Sequence, residues 1–145
     1  MTIFWQRWVM LWCVGVGVFG LVLYGVGFAA TTAPAAAVFA MFHNPLPADP
    51  DRYLRFTTSL MGAVTLGWAI TIYVVCRAAW RLSGPDAAAA WRGVTAAAIV
   101  WFVIDSIASI ANGFPLNAVS NTVLLILLLI PVLAGRCVLP LSIGR

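Results

Sequence analysis

Four apolar stretches, each near or above the ~20 residues a helix needs to cross a hydrocarbon core, take up most of this 145-residue chain. Inside lipid every backbone N–H and C=O must find a partner within the protein, so only helices and closed barrels can span. Continuous apolar runs, rather than period-two alternation, select helices. With 63% hydrophobic and 8% charged residues, no stretch remains for a separate soluble domain. The chain reads as a single all-α transmembrane domain. It is expected to be an integral membrane four-helix bundle with spans at about 8–28, 51–77, 87–112 and 117–138 and a short interfacial helix after the first span.

Taken in order, Trp5 and Trp8 stand where an aromatic belt anchors the first span. Its apolar run is too long for a signal-peptide core of roughly 7–15 residues. Gly15, Gly17, Gly20, Gly25 and Gly27 punctuate it, and glycine in a lipid-embedded helix marks close approach of a neighbouring backbone. The following stretch, TTAPAAAVFAMFHNPLPADP, is too proline-rich to span. A short helix from Pro34 to Phe42, with Val38, Met41 and Phe42 on one side, would lie in the interface and close at His43-Asn44-Pro45. His43 is the sole histidine and is read as a polar residue at headgroup level.

Asp49-Pro50-Asp51 supplies carboxylates for a helix N-terminus. Beyond it Arg52, Arg55, Ser59 and Gly62 follow helical spacing, placing Arg55 and Ser59 on one face, and Ala63 with Gly67 forms a small-xxx-small pair. Ser83-Gly84-Pro85-Asp86 reads as the start of the third helix, with Ser83 as its cap. Gly113-Phe114-Pro115 turns the chain in so few residues that the third and fourth helices must be antiparallel neighbours. Pro131 interrupts the fourth helix, and Pro140 ends it. Cys13, Cys76 and Cys137 lack the spacing of a redox or zinc pair and read as single thiols in or beside apolar spans.

All eight basic residues are arginines. With the N-terminus in the cytoplasm, that side receives Arg7, Arg77, Arg81, Arg92, Arg136 and Arg145, and the other side only Arg52 and Arg55. The positive-inside rule then places both termini in the cytoplasm. The basic charge marks topology rather than nucleic-acid binding, since no stacking platform accompanies it.

Asp105 is the only acidic residue inside an apolar span. Trp101, Asp105, Ser109 and Asn112 share a helix face, and Asn117 and Asn121 lie four apart on the next helix with Ser120 beside them. A charged aspartate at a span centre costs ~2.5–3.5 kcal/mol, so it should face inward and find a partner. Arg55 enters from the same side and is the expected ion-pair partner, with Ser59, Ser109 and Asn121 around the pair. One reading of this cluster is polar glue that fixes helix register. Another is an outward-facing pocket for a lipid or other amphiphile, with Phe39, Phe42, Trp101 and Phe114 at its mouth. A small oligomeric transporter using Asp105 is a third. Catalysis would need a nucleophile with its base, or a metal set, and neither pairing is visible.

The segments RFTTSLMGAVTLGW, WFVIDSIASIANGF and NAVSNTVLLILLLIP, spanning about Arg55 to Pro131, resemble a group of small bacterial inner-membrane proteins with four predicted helices and no assigned activity. The resemblance implies the same topology and a bacterial inner-membrane location, and it points to Arg55, Asp105 and Asn121. The resulting expectation is a non-catalytic accessory or interaction subunit, without cofactor or metal. Its partners would be the bilayer, another membrane protein or a second copy, or a lipid ligand.

Overall fold

The computed structural model describes residues 1–135 and 137–138. Arg136, Pro140 and Arg145 lie outside the described residues. The described chain is all-helical: α1 (Ile3–Tyr24), two short 3-10 turns (Gly25–Gly27 and Ala29–Thr31), α2 (Ala33–Met41), α3 (Arg52–Ala79), α4 (Gly84–Ala111) and α5 (Pro115–Ala134). The segments Ile3–Gly27, Arg52–Ala79, Gly84–Ala111 and Pro115–Ala134 are long and apolar enough to cross a membrane. The expected elements are all present, with shifted ends. α1 opens at Ile3 rather than near Trp8, and α5 stops at Ala134 rather than near Val138.

The chain's own polar groups set these ends. The Asp51 carboxylate accepts the backbone N–H groups of Tyr53 and Leu54, each at 2.8 Å, so Asp51 caps α3 and satisfies donors the helix cannot. At the start of α4, Ser83 occupies the capping position with extended backbone, but its side chain makes no capping bond. The Ser83 cap expected from sequence is therefore positional only. α4 ends in a Schellman turn in which Phe114 N–H donates to Ser109 C=O (2.8 Å) and Gly113 N–H to Ile110 C=O (3.1 Å). Gly113 adopts φ +83 there, a left-handed conformation that favours glycine. Pro115 then opens α5 in its first turn, where a missing N–H costs nothing. α2 closes the same way, through Asn44 N–H to Phe39 C=O and His43 N–H to Ala40 C=O. Here His43 takes the left-handed position at φ +58, so the lone histidine is the turn residue of this cap. On α2 the fully buried residue is Ala35, whereas Met41, expected on the same side as Val38, is 75% exposed.

Packing divides the chain into two compact units, Cys13–Ile70 and Met1–Trp12 with Thr71–Arg145. Within Cys13–Ile70, α1 and α3 run antiparallel at backbone contact. A Cβ built on Gly20 would stand 2.7 Å from Leu66 N and 2.8 Å from Gly62 O. One on Gly62 would stand 2.5 Å from Gly20 O and against Tyr24 N. Only glycine permits this approach, as expected for small-residue helix contacts in lipid. The pair read from sequence on α3 was displaced by one position. Ala63 is exposed, and a Cβ on Gly67 would meet nothing within 4 Å. The buried seam of α3 runs instead through Thr58, Gly62, Ala69, Ile72, Cys76 and Ala79.

In the other unit α4 and α5 pack as the predicted antiparallel hairpin. Pro131 is fully buried inside α5. Lacking an N–H, it leaves the Leu127 carbonyl without its helical donor. The indole Nε1–H of Trp8 donates to that carbonyl at 2.8 Å, and Trp12 Nε1–H donates to Leu124 C=O at 2.9 Å. Trp8, expected from sequence as a belt aromatic, is thus tied to α5 by a hydrogen bond. Trp8→Phe is expected to lower stability by about 1–2 kcal/mol. Combined with Pro131→Ala, which restores the internal donor, the loss should shrink. Equal losses in both backgrounds, measured by reversible unfolding in mixed micelles, would show that the indole bond does not compensate for the proline.

Candidate functional site

Polar side chains gather at two places, one in each unit. The first lies in the α4–α5 hairpin next to the Schellman turn. The turn reverses the chain so that Asn117 and Asn121, one helical turn apart on α5, meet Asp105, Ser106 and Ser109 on α4. Asn117 Nδ2 donates to Asp105 Oδ2 (3.1 Å) and to Ser109 Oγ (2.8 Å). Asn121 Nδ2 donates to the same Asp105 oxygen and, at 3.5 Å, to Ser106 Oγ. Asn121, Ser106 and Ser109 are 4%, 8% and 9% exposed, while Asp105 and Asn117 are half-buried. Each α5 amide therefore bridges the carboxylate to a serine hydroxyl, forming a two-rung ladder across the hairpin.

This ladder contains four of the residues expected from sequence: Asp105, Ser109, Asn117 and Asn121. It adds Ser106, which the choice of a single face at spacings of three and four had passed over. Asn112 is not part of it. Its Nδ2 donates to the Ala108 carbonyl of its own helix at 2.7 Å, because α4 ends at Ala111 and the residue has already left the helix face. The side chains are in direct contact, so the ladder is a packed junction.

The second place lies where α3 begins. Gly27, Phe28, Arg52, Arg55, Phe56 and Ser59 line an open cleft of about 360 Å³. Arg55 is held at four points. Nε–H donates to Pro50 C=O (2.9 Å), Nη1 to Val26 C=O (3.3 Å) and Thr32 Oγ1 (3.4 Å), and Nη2 to Asp49 Oδ1 (3.3 Å). These bonds tie the 3-10 turn that follows α1 and the loops on both sides of α2 to the first turn of α3. Arg52 is exposed, lies 4.7 Å over the Tyr53 ring centroid and donates from Nη2 to Tyr53 Oη at 2.6 Å.

The two members of the expected Arg55–Asp105 ion pair each have a partner close by in sequence. Arg55 pairs with Asp49, and Asp105 is satisfied by the amides of Asn117 and Asn121. A guanidinium in the first turn of α3 has carbonyls and a carboxylate of its own loop within reach, and these satisfy it at little entropic cost. Ser59 lines the same cleft as Arg55, as the helical spacing implied. The aromatics at the cleft are Phe28 and Phe56, in place of Phe39, Phe42, Trp101 and Phe114. Arg52 and Phe56 were legible as its lining, since 52, 55, 56 and 59 recur on one helical face.

Among the described residues, no group of three or more His, Cys, Asp or Glu side chains converges as a metal site. Cys13 and Cys76 are buried, and among the described residues neither forms a disulfide. These features define the class: a multi-pass, all-helical integral membrane protein with a polar junction inside one hairpin and a cationic cleft at the start of another span. No known protein family, curated protein or solved structure matches the chain.

Proposed function

We propose that the chain is a non-catalytic protein of the bacterial inner membrane that binds an amphiphile in the Arg52–Arg55–Ser59 cleft. The observation that carries this reading is the lining itself, two arginines and a serine beside two phenylalanines. Such a surface suits a molecule with a polar head and an apolar tail. Its volume falls within the ~300–1,000 Å³ of small-molecule sites. From Arg52 to Ser59 the helix descends about 10 Å at ~1.5 Å per residue, so the cleft runs from headgroup level toward the acyl region. Exposed Phe28 and Phe56 face the tail.

An interaction subunit would present glycines of its first helix to a partner across the lipid. Gly17, Gly20 and Gly27 instead meet Ala69, Leu66, Gly62 and Ser59 of α3, which favours the cleft over a glycine docking face. Asp105 touches its neighbours directly, which favours register over binding at the ladder. The arginine distribution and the resemblance described above support cytoplasmic termini and put the cleft in the outer leaflet.

Native mass spectrometry of the protein, extracted gently from its own membrane, tests this reading. A small amphiphile should be retained by the wild type and lost from Arg52→Gln, whose side chain bonds only within its own helix. Retention of a stoichiometric second protein with no amphiphile would make the chain a subunit instead.

A further inference from the structure

The loop before α3 places two carboxylates beside the cleft and uses them differently. Asp51 is committed to the helix, accepting two backbone N–H groups. Asp49 has no such role. Among the described residues it is bonded to Arg55 Nη2 alone, and its side chain is 98% exposed, against 23% for Arg55. A surface pair of this kind contributes little to folding, about 0–1 kcal/mol. The other contacts of Arg55 are with neutral carbonyl and hydroxyl oxygens, so Asp49 is the anion that neutralises it.

Resting on the amphiphile-binding reading, we infer that the cleft takes a phosphate monoester headgroup, and that Asp49 occupies the phosphate's place on Arg55 until the ligand displaces it. Three features of the cleft select phosphate over carboxylate. Arg52 and Arg55 bring two permanent positive charges, and a monoester carries between one and two negative charges near neutral pH. Guanidinium donors fit the three terminal oxygens of phosphate, whereas a carboxylate offers two. Ser59 lies four residues deeper than Arg55, about 6 Å at ~1.5 Å per residue. There it lines the cleft with Phe28 and Phe56 and would meet the ester end of the ligand. Exchange of Asp49 for phosphate keeps Arg55 paired throughout, and its bonds to Pro50, Val26 and Thr32 need not break.

Calorimetric titration of the full chain in a non-ionic detergent tests this, using dihexanoyl phosphatidic acid, inorganic phosphate and sodium hexanoate as probes. Dihexanoyl phosphatidic acid should bind the wild type, bind Asp49→Asn about two- to fivefold more tightly, and bind Arg52→Gln more weakly. Asp49 is solvent-exposed, so its variant keeps the fold. Saturable binding of inorganic phosphate at similar strength would identify free phosphate rather than a lipid headgroup as the source of the same chemistry. Hexanoate binding as tightly as the phosphatidate would overturn the phosphate assignment. Affinity unchanged or reduced in Asp49→Asn would overturn the displacement. Either of these results leaves amphiphile binding standing, whereas a wild type that retains no amphiphile and binds none of the probes removes both.

Discussion

Gly62→Ala is expected to cost about 3 kcal/mol or more, at the upper end of overpacking substitutions. The added methyl carbon would fall 2.5 Å from the Gly20 carbonyl oxygen and against Tyr24 N. Both are backbone atoms of α1, so no rotamer change relieves the clash and the helices must separate. Separation would also disturb the contacts of Gly17 with Ala69 and of Gly27 with Ser59, spreading the loss along the seam. Gly67→Ala is the matched control on the same helix. Its Cβ meets nothing within 4 Å, and the gain in helix propensity should leave stability equal or higher by up to about 1 kcal/mol. Steric-trap or detergent unfolding of both variants reads the difference. Similar stabilities for the two would mean that α1 and α3 do not meet through Gly20 and Gly62.

That pair shows what sequence pattern resolves and what it does not. Glycines on the first and second spans announce close helix packing, because lipid offers no other reason to keep so many. Which residue forms the contact depends on how each helix is rotated about its axis. A lipid-exposed face and a helix-facing face have the same hydropathy, so amphipathicity gives no signal for that rotation. Ala63–Gly67 and Gly62 differ by one position, about 100° of rotation at 3.6 residues per turn, and periodicity could not choose between them. The spans themselves were legible because length and apolarity suffice. Their ends were less so, since Asp51 and Gly113 set them through local hydrogen bonds and backbone conformation.

The polar sites divide along the same line. The short Gly-Phe-Pro turn forces α4 and α5 together, and Asn117 and Asn121 on one helix then necessarily approach Asp105 and Ser109 on the other. That part followed from connectivity. The partner of Arg55 did not, because charge and depth alone made Asp105 attractive while the loop holding Asp49 and Pro50 had no predictable path. A long arginine side chain samples every acceptor within its reach, and local ones have the advantage of loop entropy.

Asn121→Leu should destabilise the hairpin by about 1–3 kcal/mol, the cost of leaving a hydrogen-bonding group inside the protein without its partner. Asn121 is 4% exposed and donates to both Asp105 and Ser106. Its loss leaves Asn117 as the remaining amide donor to a carboxylate within an apolar helix. Asp105→Asn should cost less, about 1 kcal/mol, because the new side chain keeps one acceptor oxygen for the α5 amides and such bonds in membranes average ~0.6 kcal/mol. The double variant Asp105→Leu/Asn121→Leu should be more stable than Asn121→Leu alone. Removing both partners leaves no carboxyl without its amide, and apolar replacement of a paired polar group is often neutral or favourable. Far-ultraviolet circular dichroism during denaturation in mixed micelles gives all three values. A double variant less stable than either parent would show that the ladder contributes more than the mutual satisfaction of its members. Recovery in the double variant, with amphiphile retention unchanged, would separate the two polar sites by role: the ladder holding α4 and α5 in register, the Arg52–Arg55 cleft binding.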